Sequence, residues 1–209
     1  MDNYKYETEL AIQGFKVIAG GDEAGRGPLA GPVSAAMVVL PKDYRIEGID
    51  DSKKLSRKKR RELFAEIKKY AITYGVGIID SQTIDKINIL EATRLAFFEA
   101  YKKLSPAPDY ILLDQIKLPW LVGLGIPHQA FVKGESISAS VAAASILAKE
   151  TRDLIMEEMA DKYPEYGFEK HMGYGTKAHI QAIEKFGPCP IHRLTFKPIS
   201  TIISQPTLF

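Results

Sequence analysis

Three acidic side chains stand at the ends of apolar runs. Asp22 and Glu23 follow F-K-V-I-A-G-G, and Asp114 closes Y-I-L-L-D. A carboxylate at the end of a buried strand is unfavourable unless it is paired or binds a cation. In α/β sheets, ligand sites form just outside strand ends. If the two strands are neighbours, the three acids converge from distant parts of the chain. Hard oxygen donors with no histidine beside them favour Mg²⁺ or Mn²⁺ over zinc. Each acid taken singly fits a turn, a helix cap or a surface ion pair equally well, and the pattern alone leaves both readings open. Glu135, in V-K-G-E ahead of a small-residue segment, is a fourth candidate. It also fits an acid that favours the helix N-terminus behind it.

The loop behind Asp22-Glu23 reads A-G-R-G-P-L-A-G-P. The glycines of Gly25-Arg26-Gly27 open backbone shapes closed to other residues and let a ligand approach the main chain. A rigid Gly-Pro turn is the plainer reading. No Rossmann fingerprint and no Walker A loop is present, since a strand rather than a helix follows and no G-K-[S/T] occurs. The segment D-S-K-K-L-S-R-K-K-R-R-E-L, Asp51 to Leu63, is dense in lysine and arginine. It reads either as a solvated helix face or as a patch contacting phosphates. Tyr174, between glycines in M-G-Y-G-T, suits a stacking platform better than a core position. His171, His179 and His192 share no metal-ligand spacing and read as structural or surface histidines.

The elements that must position these groups follow from the apolar pattern. Strands are expected at Lys16 to Ala19, Val33 to Leu40, Tyr74 to Ile79, Tyr110 to Leu113 and Ala130 to Val132. Helices are expected at Ser56 to Tyr70, Ile84 to Leu104, Ser138 to Tyr163 and Thr176 to Phe186, the last stopped by Gly187. The order predicts an α/β fold, a mixed central sheet flanked by helices with a C-terminal helical segment.

With 209 residues and 23.2 kDa, one domain spanning residues 1–198 is expected, followed by a flexible tail at 199–209. The net charge of +2 permits a polyanion partner without arguing for one. The single Cys189 rules out an internal disulfide and a multi-cysteine zinc site. The N-terminus is polar, unlike a signal peptide, and no apolar run approaches the roughly 20 residues that span a bilayer. A cytoplasmic protein with no membrane association is expected.

From Val17 to Pro198 the chain resembles bacterial ribonuclease HII, of the ribonuclease H-like superfamily. The resemblance rests on eight motifs in order: G-G-D-E-A-G-R-G-P-L-A-G-P-V, D-D-S-K-K-L-S, I-D-K-I-N-I-L-E-A-T, Y-I-L-L-D, V-K-G-E, S-V-A-A-A-S-I-L-A-K-E-T-R-D, H-M-G-Y-G-T-K-A-H and C-P-I-H-R-L-T-F. It implies a ribonuclease H-like fold and an endonuclease that cuts 5′ to ribonucleotides in RNA/DNA hybrids and ribonucleotide-containing duplex DNA. The ends would be a 5′-phosphate and a 3′-hydroxyl, and the roles would be in DNA replication and ribonucleotide excision repair. Asp22, Glu23, Asp114 and Glu135 match the catalytic, metal-binding acids, with two Mn²⁺ or Mg²⁺ ions as cofactors. Gly25, Arg26 and Gly27 match the loop contacting the 2′-hydroxyl. Tyr174 matches the tyrosine packing on the next sugar, and Lys53 and Lys133 fall near substrate phosphates. Two positions depart from the family pattern: Glu135 replaces an aspartate, and Met172 stands where a lysine is expected.

The terminal Q-P-T-L-F resembles the peptide by which bacterial replication enzymes dock on the sliding clamp, with Gln205, Leu208 and Phe209 as contacts. A frayed tail is the alternative. A monomer is expected. The sister family ribonuclease HIII, a duplex-binding module without catalysis and a metal-stabilised interaction protein are the competing readings. Metal-dependent cleavage and duplex affinity separate them.

Overall fold

A computed structural model describes residues 3–50, 52 and 54–204. Helix α1 (Lys5–Ile12) leads into strands β1 (Ile18–Ala24) and β2 (Val33–Val39). Helix α2 (Arg57–Tyr70), strand β3 (Thr73–Ile79), helix α3 (Ser81–Tyr101) and strand β4 (Tyr110–Asp114) follow. A short α4 (Pro119–Gly123), strand β5 (His128–Phe131) and a 3₁₀ turn at Gly134–Ser136 precede the long α5 (Ala139–Lys162). The chain finishes in α6 (Phe168–His171), α7 (Lys177–Phe186) and α8 (Ile199–Ser204).

The five strands form one sheet in the order β3-β2-β1-β4-β5. β1 runs antiparallel to β2 and parallel to β4, and β4 is parallel to β5. Successive side chains of a strand face opposite ways, and both faces of β2 are apolar for that reason. Ala35, Met37 and Val39 pack with Phe97 and Ala96 of α3, whereas Ala36 and Val38 pack with Leu63 of α2 and the alanines of α5. The mixed, two-sided α/β sheet expected from the sequence is what forms.

Two glycine contacts set how closely the helices lie. A Cβ on Gly20 would fall 2.0 Å from the Ser140 carbonyl carbon, so only glycine lets α5 rest on β1. Gly77 does the same for α3, where a Cβ would meet the Ala96 oxygen at 1.9 Å.

Several boundaries differ from the expectation. β1 runs on to Ala24, so Asp22 and Glu23 belong to the strand rather than follow it. α3 begins at Ser81, capped by the Asp80 side chain on the Thr83 amide, and is kinked at Asn88, whose φ is 66°. β5 begins two residues and ends one residue earlier than expected. α1 was not expected. Its Glu7 accepts hydrogen bonds at Oε1 from the Ser138 hydroxyl (2.6 Å) and from the Ser140 amide (2.9 Å) and hydroxyl (2.6 Å), at the start of α5. A free tail from residue 199 is also corrected: Ile199 is buried against the C-terminal cluster, and α8 continues to Ser204.

Candidate active site

Asp22 and Asp114 reach the same sheet end because β1 and β4 are parallel neighbours. The last paired residues are Gly21 and Leu113, and each acid lies one residue further on. Asp22 is buried, and its carboxyl is pushed well above the ordinary range by that burial and by the charges of Glu23 and Asp114; a Ser145 hydrogen bond offsets only part of this. Asp22 Oδ1 also accepts from the Glu23 amide at 2.7 Å. Asp114 Oδ1 accepts from the Gly134 amide at 2.8 Å, which ties the loop carrying Glu135 to the end of β4. Glu135 itself is buried in that turn. Lys133, in left-handed conformation one residue earlier, is exposed.

All four acids therefore come to one end of the sheet. Among the described residues, no three acidic, imidazole or thiol groups are gathered tightly enough to grip one ion as they stand. The backbones converge, and the Asp22 carboxyl is raised first by burial and then by repulsion from Glu23 and Asp114. An all-oxygen donor set of this charge fits a hard divalent cation, which would relieve that repulsion.

The Gly25-Arg26-Gly27 loop leaves β1 beside these acids. Gly25 has φ of 93°, a conformation that favours glycine. Arg26 Nη1 reaches back to Glu23 Oε1 at 3.1 Å. Arg26 and Gly27 are exposed, and an added Cβ on Gly27 would meet only the Tyr174 ring, at 3.8 Å. Tyr174 is 46 % exposed, so an aromatic face stands over the loop, open to a ligand. The Leu29 amide donates to the Gly173 carbonyl at 2.8 Å, stitching the two segments together.

Behind Tyr174 the three histidines form a structural cluster. The Cys189 amide donates to His192 Nδ1 (2.9 Å), leaving His192 Nε2–H to donate to His179 Nε2 (3.0 Å), and His179 Nδ1–H to donate to the Tyr174 carbonyl (2.9 Å). Burial pushes His179 and His192 down to about 4, so both stay neutral in this chain of bonds. Reading them as structural histidines is what the geometry supports.

The basic segment is a solvated face at Lys54, Arg57, Lys58, Lys59 and Arg61, with Arg60 as the exception. Arg60 is buried and binds Glu150 Oε2 (2.8 Å) and Asp153 (2.9 Å). Arg61 pairs with Glu150 and Glu157, and Arg57 also pairs with Glu157. These three arginines clamp α2 to α5, Arg60 from a buried position and Arg57 and Arg61 while remaining nearly half exposed. Lys53, Gln205, Leu208 and Phe209 lie outside the described residues. Met172, in left-handed conformation, packs its side chain on the C-terminal cluster.

Two residues of the site escaped the sequence reading. Arg152 and Arg193 are both fully buried and both hydrogen-bond the carbonyls of the 25–32 loop. The only signal was arginine within apolar surroundings, in K-E-T-R-D and I-H-R-L-T-F.

The chain and its fold are similar to known proteins. The family model described as Ribonuclease HII matches residues 19–199. The chain is 53 % identical over 201 residues to a Ribonuclease HII from Bacillus mycoides, covering 96 % of this chain and 77 % of that one. Its structure is similar to the ribonuclease H2 from Pyrococcus horikoshii OT3, with TM-score 0.76, 28 % identity and coverage of 90 % and 97 %. It is equally similar to the RNase HII in the PCNA:RNase HII complex from Archaeoglobus fulgidus, with TM-score 0.76, 26 % identity and coverage of 87 % and 96 %.

Proposed function

The chain belongs to the ribonuclease HII family and is a ribonuclease H endonuclease of type HII, and from that premise we propose that it hydrolyses the phosphodiester bond 5′ to a ribonucleotide in RNA/DNA hybrids and in DNA duplexes with embedded ribonucleotides. The observation that carries this reading is the meeting of Asp22 and Asp114 at one sheet end beside a glycine loop under an exposed tyrosine. In this reading Asp22, Glu23, Asp114 and Glu135 hold two divalent ions, Mn²⁺ or Mg²⁺. When bound, such ions activate water and stabilise the charge developing on the leaving 3′-oxygen. The protein supplies no nucleophile. Water adds to phosphorus, the bond to the 3′-oxygen breaks, and the products are a 5′-phosphate and a 3′-hydroxyl.

Selectivity rests with the protein's own groups. The 2′-hydroxyl separates RNA from DNA. Main-chain groups of Gly25, Arg26 and Gly27 pair with it and lose that pairing against deoxyribose, which discriminates strongly. Tyr174 packs on the neighbouring sugar and sets the junction. Lys133 and Lys53 contact backbone phosphates, which position without reading sequence. The protein acts as a monomer in the cytoplasm, in replication and ribonucleotide repair. No described helix is long and apolar enough to cross a membrane.

The test is cleavage of an end-labelled DNA duplex carrying one ribonucleotide, with Mg²⁺, Mn²⁺ or EDTA. A single metal-dependent cut 5′ to the ribonucleotide supports the reading. Tight binding without cleavage replaces it with the binding-module reading.

A second interaction is proposed for the C-terminal Gln205, Leu208 and Phe209: docking on a sliding clamp. The Archaeoglobus fulgidus relative is found in a complex with PCNA, and the terminal Q-P-T-L-F carries the pattern of a clamp peptide. Clamp binding that survives deletion of residues 205–209 removes this proposal.

A further inference from the structure

Arg193 is completely buried, yet among the described residues its guanidinium hydrogen-bonds main-chain carbonyls and no carboxylate. Nη2 donates to the Gly25 oxygen at 2.6 Å and to the Gly31 oxygen at 2.9 Å; Nη1 donates to the Arg26 oxygen at 2.9 Å, and Nε to the Gly31 oxygen at 3.0 Å. Beside it, Arg152 donates to the Pro32 and Ala30 oxygens at 2.9 and 3.0 Å. Two buried guanidiniums thus draw five carbonyls of one loop inward. A buried cation whose hydrogen bonds end on carbonyls, with Asp85 only nearby as a charge, is an expensive way to build a turn. Burial and the neighbouring Arg152 lower Arg193 to about 9, which records that expense.

The consequence lies in the peptide planes. In a trans peptide the carbonyl and the following N–H point in opposite directions. Holding the Gly25 oxygen inward turns the Arg26 N–H outward, and holding the Arg26 oxygen inward turns the Gly27 N–H outward. Arg26 and Gly27 are the exposed residues of the loop, and the Tyr174 ring lies over Gly27. Two consecutive donors therefore face the open side of the loop, fixed from below before any ligand arrives. The planar fork of arginine can serve three carbonyls at once, which a lysine ammonium on a flexible stem cannot hold in fixed directions.

We propose that Arg193 is a positioning residue for ribose recognition: through the Gly25 and Arg26 carbonyls it presets the amides of Arg26 and Gly27 as the donors that meet the sugar of the ribonucleotide. This rests on the reading of the loop as the 2′-hydroxyl contact, and it assigns the discrimination to a residue that touches no substrate.

The experiment compares the parent enzyme with Arg193→Lys and Arg193→Ala. Cleavage of a DNA duplex with one ribonucleotide is measured alongside binding of the same duplex made wholly of DNA. Expected is a fall in kcat/KM of about tenfold or more for Arg193→Lys, with unchanged all-DNA affinity and unchanged affinity for Mn²⁺. Millimolar guanidinium should restore cleavage by Arg193→Ala, where ammonium does not; this readout distinguishes lost positioning from a damaged fold. Full cleavage by a folded Arg193→Lys overturns the inference, as does a loss shared equally by all-DNA binding, or an Arg193→Ala that guanidinium does not revive. Absence of ribonucleotide-directed cleavage in the parent would instead strike the loop reading itself.

Discussion

The side chain of Arg152 occupies the space where a Gly25 side chain would begin: a Cβ there would fall 2.2 Å from Arg152 Nε and 2.4 Å from its Cδ. The loop and the buried arginine exclude one another unless residue 25 is glycine. Gly27, two residues on, faces open space apart from the Tyr174 ring at 3.8 Å.

That contrast predicts two different alanine variants. Gly25→Ala meets both the collision and a φ of 93°, and should lower stability by about 2–4 kcal/mol. Gly27→Ala should change stability by no more than about 0.5 kcal/mol while raising KM for a ribonucleotide-containing duplex. Urea unfolding and steady-state cleavage check both. A destabilised Gly27→Ala would show that the space above the loop has been misread.

Asp22 carries a conflict between stability and function. Its folded pKa lies above the unfolded one, so its ionised form weakens the metal-free fold at neutral pH. Asp22→Asn should therefore melt higher than the parent in EDTA. The gain should vanish as pH falls below about 4, where the carboxyl is protonated in both states. The same variant should lose about 100-fold or more in cleavage rate. Melting curves across pH decide it, and a lower Asn melting temperature at pH 7 would refute it.

His179 and His192 give the opposite pH sign. Both are held at about 4 when folded, against an ordinary value near 6.5. Their contribution is complete above about 6.5 and is lost as pH falls toward 4, because the unfolded chain takes up protons that the fold refuses. Melting temperature should drop by several degrees across that window, and His192→Gln should flatten the drop.

Arg60 tests what the basic helix is for. Removing it leaves buried Glu150 and Asp153 short of a partner, and Arg60→Ala should cost about 3 kcal/mol. Duplex affinity should keep its salt dependence. Lys133→Ala should do the reverse, leaving stability alone and lowering the salt slope by about one. Binding titrations at several salt concentrations, with unfolding curves, distinguish the two.

Much of this was legible beforehand. Continuous apolar runs at Val33 to Leu40 and Tyr110 to Leu113 named two strands, which form at Val33–Val39 and Tyr110–Asp114, and Ser56 and Thr176 marked helix starts that they do cap, on the Lys59 and His179 amides. The acids at the sheet end were visible because charge after an apolar run is rare. Less visible was anything depending on a distant partner. The Arg57–Arg61 cluster looked solvated, since Glu150, Asp153 and Glu157 lie about 90 residues away on α5. Gly75 and Gly77 of β3 carry no hydrophobic signal, although they are where the α3 backbone rests on the sheet. Arg152 and Arg193 hid for the same reason, as their acceptors are carbonyls and leave no mark on the residue pattern. The end of β1 was drawn short because Gly20 and Gly21 carry no hydrophobic signal, although each is buried.

The three bonds that Glu7 accepts at the head of α5 bear on how the protein should be handled at the bench. Only two residues lie between Glu135 and Ser138, and the Ala139 amide donates to the Asn3 carbonyl at 2.7 Å. The first described residues are thus a splint on the segment that carries Glu135, an acid of the proposed metal site. An affinity tag, fluorophore or surface tether attached there pulls on that splint, so immobilised or labelled protein prepared through its front end will report a perturbed enzyme.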